Sequence, residues 1–282
     1  MSSPDRYAVF GHPIGHSKSP RIHGLFAEQT GQNLQYIAQD VPADAFANCL
    51  AEFLEQGGRG LNCTIPLKEL AWRAAGRCSK RAELAKAVNT LLVEADGGLF
   101  GDNTDGVGLV RDVCVNLGLA LAGKRLLLLG AGGAGRGILQ PLLDEGPDGL
   151  VIANRTVGKA EQLVREFAGV NGRGAPPLAA CGFADLAGQR FDVIINATAA
   201  SLQGDLPPLP ADVLEPGGAC YDLAYGTVPT TFLCWGREHG AAVSADGLGM
   251  LVEQAAEAFW LWRGVRPDTA PVIRLLSAER GF

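Results

Sequence analysis

The feature that most constrains this chain is a strand signal, Arg125–Leu129, with four consecutive leucines that run unbroken into Gly130, Ala131, Gly132, Gly133, Ala134 and Gly135. So apolar a run has no face to offer water, which is the signature of a strand buried on both sides in an α/β layer. The residues that follow, up to Leu143, are spaced as a helix. Between strand and helix, the Gly-x-Gly-x-x-Gly spacing suits a dinucleotide. The first glycine permits the tight turn, the second lets backbone approach pyrophosphate, and the third lets helix pack on strand. The helix N-terminus then presents free N–H groups and a positive dipole end to the phosphates. A ligand-free turn would also use glycines, so the reading rests on the elements at both sides.

The next strand signal, 150–153, ends in Asn154, Arg155 and Thr156, with Lys159 one turn further on. An NAD site normally carries Asp or Glu here to hold the ribose 2′-hydroxyl. A guanidinium instead can pair with a 2′-phosphate and stack on adenine. Basic residues are also ordinary solvated surface groups, but at this position, without an acid, they favour NADP.

Further buried strands are expected at 191–196 and 220–223, with helices over 157–167, 229–239 and 248–264. The first hundred residues also alternate strand and helix signals. Strands are expected at 6–10, 36–41 and 59–63, and a hairpin over 88–101 turns at Asp96 and Gly97. Helices are expected from Ser19, as N-cap before Pro20, over 46–54, and from 64–68 onward. At 282 residues the chain is about twice a usual domain of ~100–150 residues. The expected fold class is therefore α/β: an N-terminal α/β substrate domain plus a Rossmann-like dinucleotide-binding domain around a cleft. We place the substrate domain at 1–105, completed by returning helices in 247–282, and the nucleotide domain at 106–246.

Four polar stretches of the first domain stand where strands end or loops begin: Ser17 to Ser19, Asn62 to Lys68, Ala87 to Thr90, and Asp102 to Asp105. They offer hydroxyls, amides, ammonium and carboxylate groups, with Lys68 and Asp105 for proton traffic, which suits a small polyhydroxylated acid. Singly each has an ordinary structural use: Ser19 as a cap, Asn89 and Asn103 in turns, Lys68 on the surface.

A nucleic-acid binder is expected to carry a basic face, so the net charge of −6 disfavours DNA and RNA as partners. The chain's start carries no targeting pattern, and its apolar runs are far short of the ~20 residues that cross a bilayer. Seven scattered cysteines without a Cys-x-x-Cys pair read as reduced, mostly buried thiols of a cytoplasmic protein. His12 and His16 are separated by Pro13 and Gly15, so they share a loop rather than a helix face, and no metal site is expected. The expected partners are small molecules, with the chain a monomer or homodimer.

In order and spacing, Ser-Lys-Ser-Pro, Asn-x-Thr-x-Pro-x-Lys-Glu, Ala-Val-Asn-Thr, Gly-Asp-Asn-Thr-Asp-Gly, Gly-Ala-Gly-Gly-Ala, Asn-Arg-Thr and Asp-Gly-Leu-Gly-Met-Leu-x-x-Gln-Ala resemble the shikimate dehydrogenase family over residues 7–271. The resemblance implies NADP-dependent, reversible reduction of 3-dehydroshikimate to shikimate, a step of aromatic amino acid biosynthesis. It implies that Ser17 and Ser19 bind the substrate carboxylate, with Tyr225 nearby. Thr64, Asn89, Asp105 and Gln254 would hold the ring hydroxyls, and Lys68 and Asp105 would form the catalytic pair. The cofactor would lie on Gly130 to Gly135, Asn154, Arg155, Thr156 and Lys159, with Thr198, Leu223 and Gly247 toward the nicotinamide.

Three departures fall on the cofactor side. Ala199, Ala200 and Ser201 follow Asn-Ala-Thr where the family commonly has Ser-Ser-Gly. Gly135 often corresponds to serine, and Leu223 and Ala224 replace a Met-Phe or Met-Met pair. A dual quinate/shikimate dehydrogenase is the nearest alternative. Relatives that accept quinate often have Thr for the second serine and an acid near the ribose, features that Ser19 and Arg155 lack. A slow paralogue acting on another cyclohexene acid is a further alternative. A non-catalytic ligand-binding regulator would need a DNA-binding segment, and none is visible.

Overall fold

The computed structural model describes residues 3–169 and 174–280. They form two compact units, one running through Gly108 and including Leu251–Leu275, the other comprising Leu109–Met250 and the residues from Leu276. This division gives 247–250 and 276–280 to the second unit, unlike the reading from sequence. The chain passes from unit to unit inside continuous helices (Asp105–Arg111, Leu248–Arg263 and Ala270–Ala278). Side-chain periodicity carries no boundary signal there.

In the first unit the elements are β1 (Asp5–Gly11), α1 (Ser19–Thr30), β2 (Leu34–Asp40), α2 (Phe46–Glu55), β3 (Gly58–Cys63), α3 (Lys68–Ala74), β4 (Arg77–Cys78), α4 (Lys80–Ala85), β5 (Thr90–Val93) and β6 (Leu99–Asp102). The sheet order is β2-β1-β3-β5-β6-β4. β1 lies parallel to both β2 and β3, whereas β3–β5 and β5–β6 are antiparallel. Both faces of β1 are buried. Ala8 and Phe10 join Phe53, Leu61, Leu67 and Val88 on one side, while Tyr7 and Val9 pack with Tyr36 and Trp262 on the other.

Two expectations change here. Lys18, not Ser19, holds the N-cap position of α1 without a side-chain cap; Ser17 Oγ accepts the Ser19 N–H instead, at 3.3 Å. The third helix begins at Lys68 rather than Thr64. Pro66 lacks an N–H and disfavours the helical region for the residue before it, so 64–67 forms a turn closed by Leu67 N–H to Thr64 O at 2.7 Å.

The second unit takes up α5 (Asp105–Arg111) with its π-helical continuation Asp112–Asn116, then β7 (Arg125–Leu129), α6 (Gly133–Asp144), β8 (Gly149–Ala153), α7 (Val157–Ala168), β9 (Leu178–Cys181), β10 (Phe191–Asn196), β11 (Leu214–Asp222), α8 (Thr231–Glu238) and β12 (Val243–Asp246). α9 (Leu248–Arg263) and α10 (Ala270–Ala278) follow. The strands, all parallel, are ordered β12-β11-β10-β7-β8-β9. Counted from β7 as the first strand, this is the doubly wound dinucleotide-binding order, with its topological switch between β7 and β10. The four leucines of β7 are wholly buried. Of the cysteines, Cys63 and Cys220 are buried, Cys234 is exposed and the other four are intermediate, so fewer are buried than expected. Among the described residues no helix is long and apolar enough to cross a membrane.

Candidate active site

In the first unit, β1 and β3 run parallel with Phe10 beside Cys63, so their following loops leave the sheet together. The His12 N–H donates to Ile65 O at 2.9 Å, and the Thr64 N–H to Phe10 O at 2.9 Å. Ser17 and Ser19 lie in the chain that follows the C-terminal end of β1 and Thr64 directly follows that of β3, the ends of adjacent parallel strands where α/β layers bind ligands. The twelve-residue α1 adds its N-terminus beside the two serines.

Lys68 is the first residue of α3, and its carbonyl accepts the Val88 N–H at 2.9 Å, which fixes the helix start against the loop before β5. Lys68 Nζ donates to Asp105 Oδ2 at 2.5 Å, with the two side chains 30% and 16% exposed. The pair is thus reachable by a ligand yet partly desolvated. The Asn89 side-chain amide donates to Asp105 Oδ1 at 2.8 Å and lies 3.2 Å from Gln254 Oε1. Lys68, Asp105, Asn89 and Gln254 therefore form one hydrogen-bonded cluster, and no bond links them directly to Ser17, Ser19 or Thr64 among the hydrogen bonds described.

Behind the cluster stand residues to which the sequence reading gave no role. The antiparallel registers put Asn62 opposite Thr90, and Thr90 opposite Asp102. Tyr36 OH donates to Asn62 Oδ1 (2.6 Å), Asn62 Nδ2 to Thr90 Oγ1 (3.0 Å), and Thr90 Oγ1 to Asn89 Oδ1 (2.9 Å). Every donor in this buried chain points toward Asp105, so each bond polarises the next. Asp102 accepts from Ser79, Arg81 and the Asn103 N–H, anchoring the strand end that delivers Asp105. Asn62, Thr90 and Asp102 stood inside the quoted motifs; Tyr36 and Arg81 carried no local signal. Burial pushes the Cys63 thiol up to about 12, with Lys68 opposing, so Cys63 stays a neutral thiol.

In the second unit, Gly130 has φ +102° and its N–H donates to Ala153 O at 2.8 Å. A side chain there would meet Ala197 O and Thr198 Cγ2 at 3.1 Å, which places Thr198 against the turn at the sheet's switch point. A Cβ on Gly135 would lie 2.3 Å from Gly130 O, so this glycine is the close packing of helix on strand. Ala131, Gly132, Gly133 and Ala134 span the turn into α6, whose N-cap, Gly132, supplies no side-chain cap and leaves the first N–H groups available. Asn154 ties turn to strand, its Oδ1 accepting the Ala131 N–H at 3.2 Å and its Nδ2 donating to Thr156 O at 2.8 Å. Arg155, Thr156 and Lys159 are exposed. Arg155 borders an open pocket of about 720 Å³ walled by Val157, Phe183, Leu209 and Pro210. The one acid there, Asp185, is engaged with the Gly182 N–H at 2.9 Å. A glycine cradle, available helix N–H groups and a basic edge whose acid is already engaged fit a phosphorylated dinucleotide.

At the ends of β10, β11 and β12, Asn196 and Asp222 are fully buried. Asn196 Oδ1 accepts from Thr198 N–H and Oγ1, at 3.1 and 2.7 Å. Ser201, in the departing Ala-Ala-Ser segment, donates to Asp222 at 2.5 Å and accepts from Asn196 at 3.0 Å, so that segment is tied to the sheet. The Leu223 N–H donates to Asn196 O, and the Gly247 N–H to Ala224 O. A Cβ on Gly247 would meet Leu223 O at 2.2 Å. Tyr225 lies in this second unit, 36% exposed, with the Arg280 guanidinium 6.0 Å from its ring centre. Partial burial raises its pKa, and Arg280 opposes the shift.

Residues 9–91 match the family model described as shikimate dehydrogenase substrate binding domain, 115–203 that of shikimate / quinate 5-dehydrogenase, and 247–276 that of shikimate 5'-dehydrogenase C-terminal domain. The chain is 68% identical over 280 residues to a shikimate dehydrogenase (NADP(+)) of Methylococcus capsulatus, covering 99% of each. Among solved structures, it resembles an Ael1 enzyme from Pseudomonas putida with a TM-score of 0.90 and 52% identity, over 96% of this chain and 98% of that one. A shikimate 5-dehydrogenase from Thermus thermophilus, in complex with NADP(H) and shikimate, matches with a TM-score of 0.84 and 36% identity, over 96% and 97% of the two chains. Both halves of the fold and nearly its whole length being matched in this way, the chain belongs to the shikimate dehydrogenase family.

Proposed function

We propose that this protein catalyses the reversible, NADP-dependent reduction of 3-dehydroshikimate to shikimate, with Lys68 and Asp105 as its acid–base pair. Bound NADPH supplies the hydride. As a ketone carbon is reduced, negative charge builds on its oxygen and must be neutralised in the transition state. Lys68 donates a proton from Nζ to that oxygen; in the reverse direction neutral Lys68 removes it. Asp105, 2.5 Å from Nζ, aims the amine and accepts from a ring hydroxyl. Asn89 and Gln254 fix Asp105 and the neighbouring hydroxyls, and Thr64 binds from the next strand end. Ser17 and Ser19, beside the N-terminus of α1, hold the carboxylate together with Tyr225. NADP is held by Gly130 to Gly135, by Asn154 and Thr156, and by Arg155 and Lys159 at the 2′-phosphate, with Thr198, Leu223 and Gly247 toward the nicotinamide.

The observation that carries this reading is the part-buried Lys68–Asp105–Asn89 cluster in a chain so close to shikimate dehydrogenases (NADP(+)). Steady-state rates with shikimate and quinate, each with NADP and NAD, test it. Shikimate with NADP is expected to dominate; quinate with NAD dominating would overturn it.

A further inference from the structure

Arg280 stands far from every motif, yet its side chain is only 6% exposed. Its Nη1 donates to the Asp246 carboxylate and, at 3.1 Å, to Gly226 O, while Nη2 donates to Asp246 Oδ1 at 3.3 Å. The same Asp246 Oδ1 accepts the Leu248 N–H at 3.1 Å. One guanidinium therefore bridges the loop after β11, which carries Tyr225, and the loop after β12, which carries Gly247. The planar guanidinium sets both nitrogens against the Asp246 carboxylate in a fixed geometry while Nη1 also reaches the carbonyl, whereas an ammonium is a point charge without that fork.

We infer that Arg280 is a positioning residue for substrate binding, holding the 223–226 loop so that Tyr225 is presented in a fixed place. The inference rests on the proposed role of Tyr225 at the substrate carboxylate. Arg280 touches no substrate itself and acts only through the loop it holds.

The test compares Arg280→Ala, Arg280→Gln, Tyr225→Phe and the Arg280→Ala/Tyr225→Phe double variant in the intact enzyme. Arg280→Ala is expected to raise KM for shikimate about tenfold, the loss of a charge-assisted contact, with kcat nearly unchanged. Added guanidinium ion should restore part of the affinity, and Arg280→Gln, whose amide still reaches one acceptor, should fall between. The double variant should be no worse than the weaker single one, because both act on one contact. Far-UV circular dichroism of Arg280→Ala, matching that of the parent, shows that the second unit remains folded. An unchanged KM in Arg280→Ala while Tyr225→Phe raises it overturns the inference, as do additive effects in the double variant. An unchanged KM in Tyr225→Phe removes the reading of Tyr225 itself, and the role of Arg280 with it.

Discussion

His23 predicts a specific pH dependence of stability. Its ring is 1% exposed, stacks on Tyr36 at 4.2 Å and 8°, and neither ring nitrogen has a hydrogen-bond partner among the described residues. Burial lowers its pKa from 6.5 to about 3, with the nearby Asn62 side chain opposing the shift. Above pH 6.5 the imidazole is neutral in folded and unfolded chains alike, so it contributes no pH dependence. As pH falls, the unfolded chain takes up a proton that the folded one refuses, and stability is lost down to about pH 3. Each pH unit in that window removes about 1.4 kcal/mol, so about 2 kcal/mol is gone by pH 5. The figure at pH 5 holds for any folded-state pKa well below 5.

Urea unfolding followed by tryptophan fluorescence, at pH 7 and pH 5, measures this in the parent and in His23→Phe, whose ring keeps the stack. The parent should lose about 2 kcal/mol more than the variant between the two pH values. Parallel losses would refute the argument, because every other titrating group is common to both proteins.

Lys68→Ala should lower kcat by about 10²–10⁴-fold with the unfolding transition unmoved; turnover near that of the parent would reject Lys68 as the acid. Arg155→Ala should raise KM for NADP by about tenfold or more and leave that for NAD almost unchanged, the loss of a charge-assisted phosphate contact. Equal changes for both cofactors would remove Arg155 from the 2′-phosphate. Gly135→Ala forces a Cβ to 2.3 Å from Gly130 O, so the turn must open. Thermal unfolding should show about 1–3 kcal/mol of destabilisation, and titration of NADPH fluorescence should show weaker binding.

The second unit was the more legible half. A strand buried on both faces must be apolar throughout, and a dinucleotide turn must be glycine-rich, so β7 and the turn into α6 announce themselves locally. The elements that escaped notice are short or half-exposed: β4 with two residues, β9 and β12 with four each, and the six-residue α4. Their sequences need no strict alternation because they cover little core. At the start of α1 composition favours a serine as the cap, whereas the backbone path puts Lys18 at that position without a side-chain bond.

Sequence alone determined which chemical groups this protein carries and in what order, because its motifs are contiguous and each sits at a strand end. Tertiary structure decided which of them meet. Asn62, Thr90 and Asp102 share a row only through antiparallel register, Gln254 reaches Asn89 from 165 residues away, and Arg280 reaches Asp246 from the chain's last turns. Hydrogen bonds act over about 3 Å in space and are indifferent to separation along the chain, so contacts of this kind leave no trace in local spacing.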